Sequence, residues 1–210
     1  ILAVTKFQPI EAVEAAWAAG IRRFGENRVQ EAIAKYPAFL EGHTEAQLEM
    51  LGHLQSNKGR KALELFSRIA SVDSLGLLEE LIALASNRDG ISPVTSEILL
   101  ELRTAEDSKT GFTSLEELGK ACRIFAEQGK TRLPFSLRGL MTLAPNVPDQ
   151  EAIRGSFRRL REVQRSLSAE FGLPRFDVLS MGMSGDFEIA VEEGATLVRI
   201  GTALFGERQS

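Results

Sequence analysis

Cysteine is almost absent from this chain of 210 residues: Cys122 stands alone. No internal disulfide can form, which suits a reducing compartment. Also missing is any apolar run near the roughly 20 residues that a membrane-spanning helix needs. Basic charge is not in excess either. The 25 lysines and arginines face 29 acidic residues, for a formal net charge of −4, and such a balance creates no global field for nucleic acid or an acidic membrane. No G-x-G-x-x-G follows the first strand pattern, which speaks against an open dinucleotide-binding sheet. Nothing at Ile1 resembles a signal peptide, and the chain starts without methionine, directly on a strand pattern, so a preceding N-terminal segment is expected. What remains is a cytoplasmic protein of ordinary globular composition, 43% hydrophobic and 26% charged.

What the sequence does contain is a regular alternation of short strand and helix patterns. Ile1 to Val4 runs like a buried strand and stops at Thr5-Lys6. Further strands are predicted at 21–24, 48–51, 69–72, 98–102, 137–143, 176–179 and 196–200. Helical spacing follows each of them, as in Ile10, Val13 and Trp17, or in Leu115, Leu118, Cys122 and Phe125. Pro37 is taken to end the second helix, with 38–46 as loop. Asp89-Gly90 reads as a turn, Thr113 and Glu116 as a capping box, and Cys122 as core. The arginines of the helix over about 150–171 are read as a solvated face interspersed with Glu151, Glu162 and Glu170. Eight strand-then-helix units without a break in composition predict a single (β/α)₈ barrel domain over 1–210, with an open doubly wound sheet as the other arrangement considered.

In such a barrel, chemistry sits just past the strands. Those positions are Lys6, Asn27, His53, the loop around Glu106 and Lys109, Met141, the run from Ser180 to Gly185, and Arg199-Ile200-Gly201-Thr202. Lys6 would leave its strand toward the mouth. In a desolvated pocket a lysine loses its proton more readily, and the neutral amine is the form that attacks a carbonyl. The plain alternative is a lysine turned to solvent. After strands seven and eight, Gly182, Gly185 and Gly201 allow close approach of backbone N–H groups, and Ser184 and Thr202 add hydroxyls. That is the usual place for a phosphate in a barrel. A Schiff-base lysine facing a phosphate cradle fits two ligands: a phosphorylated carbonyl sugar, as in a lysine aldolase, or pyridoxal 5′-phosphate. Arg199, two residues before Gly201, shares its side of the strand. It could lie beside a cofactor ring or form an interior salt bridge with Glu26 or Glu106.

The motifs together resemble a known family. They are Leu2-Ala3-Val4-Thr5-Lys6, the run from Phe24-Gly25-Glu26-Asn27 to Glu31, and Gly52-His53-Leu54-Gln55-Ser56-Asn57-Lys58. Ser108-Lys109-Thr110-Gly111, Arg138-Gly139-Leu140-Met141, Ser180-Met181-Gly182-Met183-Ser184 and the run from Val198-Arg199 to Gly206 follow in order. On these the chain is similar, over essentially its whole length, to the pyridoxal phosphate homeostasis proteins, the YggS/PROSC family. The resemblance implies an alanine racemase-like (β/α)₈ barrel with pyridoxal 5′-phosphate held as an internal aldimine on Lys6. It implies Arg199 at the pyridine nitrogen, Ser184, Gly201 and Thr202 at the phosphate, and Asn27 and Met141 near the ring. Where members have Trp-His-Phe-Ile-Gly this chain has Leu48-Glu49-Met50-Leu51-Gly52, and Arg103 replaces an asparagine. These departures concern the rim and the second lysine, Lys109, and spare the cofactor contacts.

A charged arginine at the pyridine nitrogen keeps that nitrogen unprotonated and weakens the ring as an electron sink. A two-base racemase needs a second proton-transfer group opposite the lysine. In alanine racemases that group is a tyrosine of a second, β-rich domain. Here the sole tyrosine, Tyr36, falls on a helix face. The expectation is a monomeric, non-catalytic cofactor holder, with no catalytic residues and no metal site, that passes pyridoxal phosphate to apoenzymes and takes part in vitamin B6 balance. The alternatives are a pyridoxal phosphate-dependent amino-acid racemase and a regulatory module that senses the cofactor.

Overall fold

A computed structural model of the chain describes residues 1–87, 93–105, 108, 110–127, 133–173 and 175–206. Eight parallel strands form its centre: β1 (Leu2–Val4), β2 (Arg23–Glu26), β3 (Gln47–Met50), β4 (Arg68–Val72), β5 (Glu97–Glu101), β6 (Ser136–Met141), β7 (Val178–Ser180) and β8 (Arg199–Ile200). Their order is β7-β6-β5-β4-β3-β2-β1-β8. The two ends meet through a parallel bridge between Ser180 and Leu197, and Met181 N–H donates to the Leu197 carbonyl at 3.1 Å. The sheet therefore closes into a barrel, and the open-sheet arrangement is excluded. The helices are α1 (Ile10–Ala18), α2 (Val29–Lys35), α3 (Pro37–Gly42), α4 (Gly59–Leu65), α5 (Leu75–Ser86), α6 (Leu115–Ala126), α7 (Gln150–Phe171), α8 (Phe187–Glu192) and α9 (Thr202–Phe205). Among the described residues no helix is long and apolar enough to cross a membrane.

Strand alternation sorts side chains into two cores. Outward residues such as Ala3, Phe24, Leu48, Met50, Ile69, Ile98, Leu100 and Leu140 pack against the helices in one large cluster. Inward residues fill the barrel in layers. Ala70, Leu99 and Met141 make a small inner cluster with Leu51 against it. Gly25 belongs at that level by necessity, since a Cβ there would lie 2.4 Å from Leu51 Cδ1 and 2.5 Å from Leu2 Cδ2. Below it the inward positions are charged. Arg23 and Arg68 reach Glu49 Oε1 at 2.8 and 3.0 Å, Arg68 and Arg138 both bond Glu97, and Arg138 pairs with Asp177 at 2.9 Å. Burial alone would raise the Glu97 carboxyl, but Arg68 and Arg138 outweigh it and hold the group below its ordinary range.

Local differences from the sequence reading have physical causes. α2 does stop just before Pro37, but 38–46 is not all loop: Pro37 opens α3, because a proline's missing N–H costs nothing at the first helical position. Tyr36 is both the C-cap of α2 and the N-cap of α3, and Phe39 is buried. At α6 the cap is Ser114, whose Oγ accepts from Glu117 N–H, so the N-cap lies one residue beyond Thr113. Ser114→Ala should therefore cost about 1 kcal/mol, seen as a lower melting temperature, while Thr113→Ala leaves the transition where it is. The α7 arginines do more than face solvent. Arg154, Arg158 and Arg161 converge on the carboxylate of Glu193, just past α8. Cys122 is buried, and desolvation pushes its thiol up to about 12. The expected turn at Asp89-Gly90 lies outside the described residues, as do Glu106 and Lys109.

Candidate functional site

The inward alternation Leu2, Val4, Lys6 brings the lysine to the mouth of the barrel, two residues past the end of β1. There a cavity of about 240 Å³ is lined by Val4, Lys6 and Gln8 on one side, and by Met183, Ser184, Gly185, Arg199, Gly201, Thr202 and Gly206 on the other. Two larger cavities exist. One, about 680 Å³, lies at the amino ends of the strands among Arg23, Arg68, Arg138 and their carboxylates. The other, about 670 Å³, is a groove between α6 and α7. The smaller one alone combines an amine, a buried guanidinium and a cluster of N–H donors.

Arg199 is buried in the wall of this cavity and held from two sides. Its Nη1 donates to Ser180 Oγ at 2.8 Å, and its Nη2 to the Thr142 carbonyl at 2.7 Å. Thr142 is itself fixed by its hydroxyl, which donates to the Leu102 carbonyl at 2.7 Å. Desolvation pulls the guanidinium down to about 10, against the opposing charges of Glu101, Asp186 and Glu49. It remains charged at neutral pH. Glu26, one of the two salt-bridge partners considered from sequence, is engaged elsewhere, with Thr5 and Lys35. Across the mouth, burial raises the Glu101 carboxyl, with Asp73 adding to the shift and Thr110, Arg199 and His53 opposing it.

Beside Arg199 the chain forms an anion-sized cradle. The backbone N–H groups of Gly201 and Ala203 both point at Ser184 Oγ, each at 3.2 Å. Two N–H groups converging on one oxygen, in a cavity that Thr202 also lines, form a donor set that a phosphate oxygen can satisfy equally well. Lys6, Ser184, Arg199, Gly201 and Thr202 thus line one cavity. Asn27 and Met141 are not part of its lining. Asn27 follows β2, where its carbonyl leaves no room for a side chain at position 52: a Cβ on Gly52 would lie 2.3 Å from it. Met141 ends β6 and packs with Ala70 and Leu99 inside the barrel. Sequence reading did not single out Gln8, nor Ser180 and Thr142 as the holders of Arg199. The anchors have no signal of their own, because a hydroxyl and a main-chain carbonyl acquire that role only when β6, β7 and β8 come together.

Residues 1–209 match the family described as alanine racemase, N-terminal domain. A pyridoxal phosphate homeostasis protein of Vibrio cholerae is 41% identical over 212 residues, covering 99% of this chain and 85% of that protein. This chain belongs to the pyridoxal phosphate homeostasis family. The Escherichia coli K12 member is 36% identical over 214 residues, covering 99% of this chain and 85% of its own. Another relative in the family, PipY of Synechococcus elongatus, has a solved structure with pyridoxal phosphate bound. It is 40% identical, with a TM-score of 0.85, and the match covers 98% of this chain and 91% of PipY. The alanine racemase of Bacillus anthracis shares the fold, with a TM-score of 0.71 at 22% identity over all of this chain and 52% of the racemase. This chain thus has the barrel fold of the alanine racemase N-terminal domain.

Proposed function

We propose that this chain binds pyridoxal 5′-phosphate at the barrel mouth, covalently through Lys6, and serves intracellular cofactor homeostasis by holding the cofactor and passing it on. The observation that carries this reading is the joint presence of the Lys6 amine, the buried Arg199 guanidinium and the Ser184–Gly201–Ala203 cradle around one cavity. The donor set fits the group in all three of its parts: an amine for an aldehyde, N–H and hydroxyl donors for a phosphate, a fixed cation for a ring nitrogen. When bound, the cofactor supplies an aldehyde that captures amines and a ring that can draw electrons from them. The protein's residues limit the second property. Arg199, held by Ser180 and Thr142, would face the ring nitrogen and keep its own proton at neutral pH. Asn27 and Met141, which do not line the cavity, are left without a contact to the cofactor. No residue is assigned a catalytic role, and PLP-dependent apoenzymes in the cytoplasm are the recipients. The protein acts as a monomer, which sedimentation of the loaded form would check.

Two measurements separate this reading from a racemase. L-Alanine incubated in heavy water with the loaded protein should exchange its Cα hydrogen no faster than with free pyridoxal phosphate. Catalytic exchange with inversion would establish the racemase instead. Thr202→Val keeps the shape and removes one hydroxyl donor to the phosphate, so affinity for the cofactor should fall about tenfold, read by fluorescence titration, with the visible spectrum unchanged.

A further inference from the structure

The backbone that carries Lys6 is bent in a way its sequence does not favour. Thr5 to Gln8 forms a four-residue turn closed by Gln8 N–H donating to the Thr5 carbonyl at 2.9 Å. Phe7, in its third position, has φ +62°, a left-handed conformation ordinarily left to glycine or asparagine. Such a residue persists only where its surroundings hold it. Here α2 holds it on both sides of the lysine. Glu31 accepts from the Phe7 N–H, and Lys35 Nζ donates to the Thr5 carbonyl at 2.8 Å. The two α2 residues are themselves paired at 3.2 Å, and Arg28 lies over the Phe7 ring at 5.7 Å.

Behind them is a buried network that faces away from the cavity. Lys35 Nζ contacts Glu26 Oε1 at 2.8 Å, and the Thr5 hydroxyl donates to the same oxygen at 2.7 Å. Tyr36 Oη lies 2.6 Å from Thr5 Oγ1. Since the Thr5 proton is committed to Glu26, Tyr36 is the donor of that bond. Glu26 and Tyr36 are fully buried. Thr5 points outward into this network and Lys6 points inward, so the main chain of the turn links the two sides.

We propose that Glu31 and Lys35 are positioning residues that clamp the strained Thr5–Gln8 turn and thereby set how long the cofactor stays on Lys6. This rests on the cofactor reading above. A clamped turn gives the lysine one backbone geometry from which to reach the aldehyde and the cradle together. A loosened turn lets Phe7 relax to negative φ and swings the Lys6 Cα away. The tests are Glu31→Ala, Lys35→Arg, Lys35→Met and Phe7→Gly. Removing the charge-assisted bond in Glu31→Ala should speed cofactor release into a carbonyl trap about fivefold to tenfold, at an unchanged global melting temperature. Lys35→Met should do the same, with Lys35→Arg close to the parent; if Lys35→Met fails to fold, Glu31→Ala carries the test.

The strain supplies a sharper criterion. Glycine accepts φ +62° without cost, so in a Phe7→Gly background the Glu31→Ala effect should shrink to less than about twofold, a coupling that a merely structural role would not produce. In the cofactor-free protein, amide hydrogen exchange at Phe7 and Gln8 should rise in Glu31→Ala and not elsewhere in the barrel. Unchanged release rates, or equal effects in both backgrounds, would overturn the clamp while leaving the cofactor site intact. Absence of any lysine-bound cofactor in the parent would overturn both, and is distinguished by its spectrum.

Discussion

With Lys6 replaced by alanine, the protein mixed with pyridoxal phosphate should show only the spectrum of the free aldehyde, whereas the parent gains a visible absorption band. The expected loss is complete because Lys6 is the one amine among the described residues lining the cavity. Lys35, on α2 against the same turn, cannot replace it. Its ammonium lies behind the β1 main chain, bonded to the Thr5 carbonyl and to Glu26, and swinging it inward would leave a buried carboxylate uncompensated. The Arg199 guanidinium and the cradle are untouched by the substitution. Weaker, saturable, non-covalent binding should therefore persist and be displaced by inorganic phosphate. A parent-like band in the variant would mean that another amine reaches the aldehyde, with Lys109 the first to examine.

Gly139→Ala should produce the largest loss of stability. Gly139 sits in β6 with φ +154°, where the register against β5 slips by one residue and Arg138 is passed over. A Cβ there would fall 1.9 Å from the Val178 carbonyl oxygen and 2.7 Å from its carbon. The obstacle is the backbone of the neighbouring strand, so no side-chain rotation relieves it, and β6 and β7 must separate. Overpacking and backbone strain together should cost about 3 kcal/mol or more, seen as a melting temperature lower by roughly 6–12 °C. The effect reaches the site as well. Ser180 ends β7 and Thr142 follows β6, and both hold Arg199, so the folded fraction should bind pyridoxal phosphate less tightly. A melting temperature within a degree of the parent would contradict the assigned register.

Much of this architecture is legible before any coordinates, and the reason is local. The strands of a closed parallel barrel are short apolar runs followed by helical spacing, so existence and order of the elements survive errors of two or three residues at their ends. The residues of the proposed phosphate cradle can be picked out for the same reason: Ser184, Gly201 and Thr202 are glycine and hydroxyl residues at strand ends, where position alone gives them meaning, whereas Gly182, read with them, packs against α8. The features that stay hidden depend on long-range partners. Glu26 reads as one possible interior partner of Arg199 and Lys35 carries no signal at all, and the two become a buried pair only when α2 packs against β2 and the end of β1. Pro37 reads as a stop because its role as an opener depends on Tyr36 serving two helices. Phe7 carries no sign of a left-handed conformation, since the turn is imposed by α2 and not by its own preference.

A crystal structure of the protein with pyridoxal 5′-phosphate would test the central claim most directly. The account predicts continuous density from Lys6 Nζ to the cofactor, the phosphate against the Gly201 and Ala203 N–H groups with Ser184 and Thr202 beside it, and Arg199 facing the ring nitrogen. Cofactor density away from the barrel mouth, or at the mouth with Lys6 detached and Arg199 still turned to Ser180 and Thr142 alone, would contradict it.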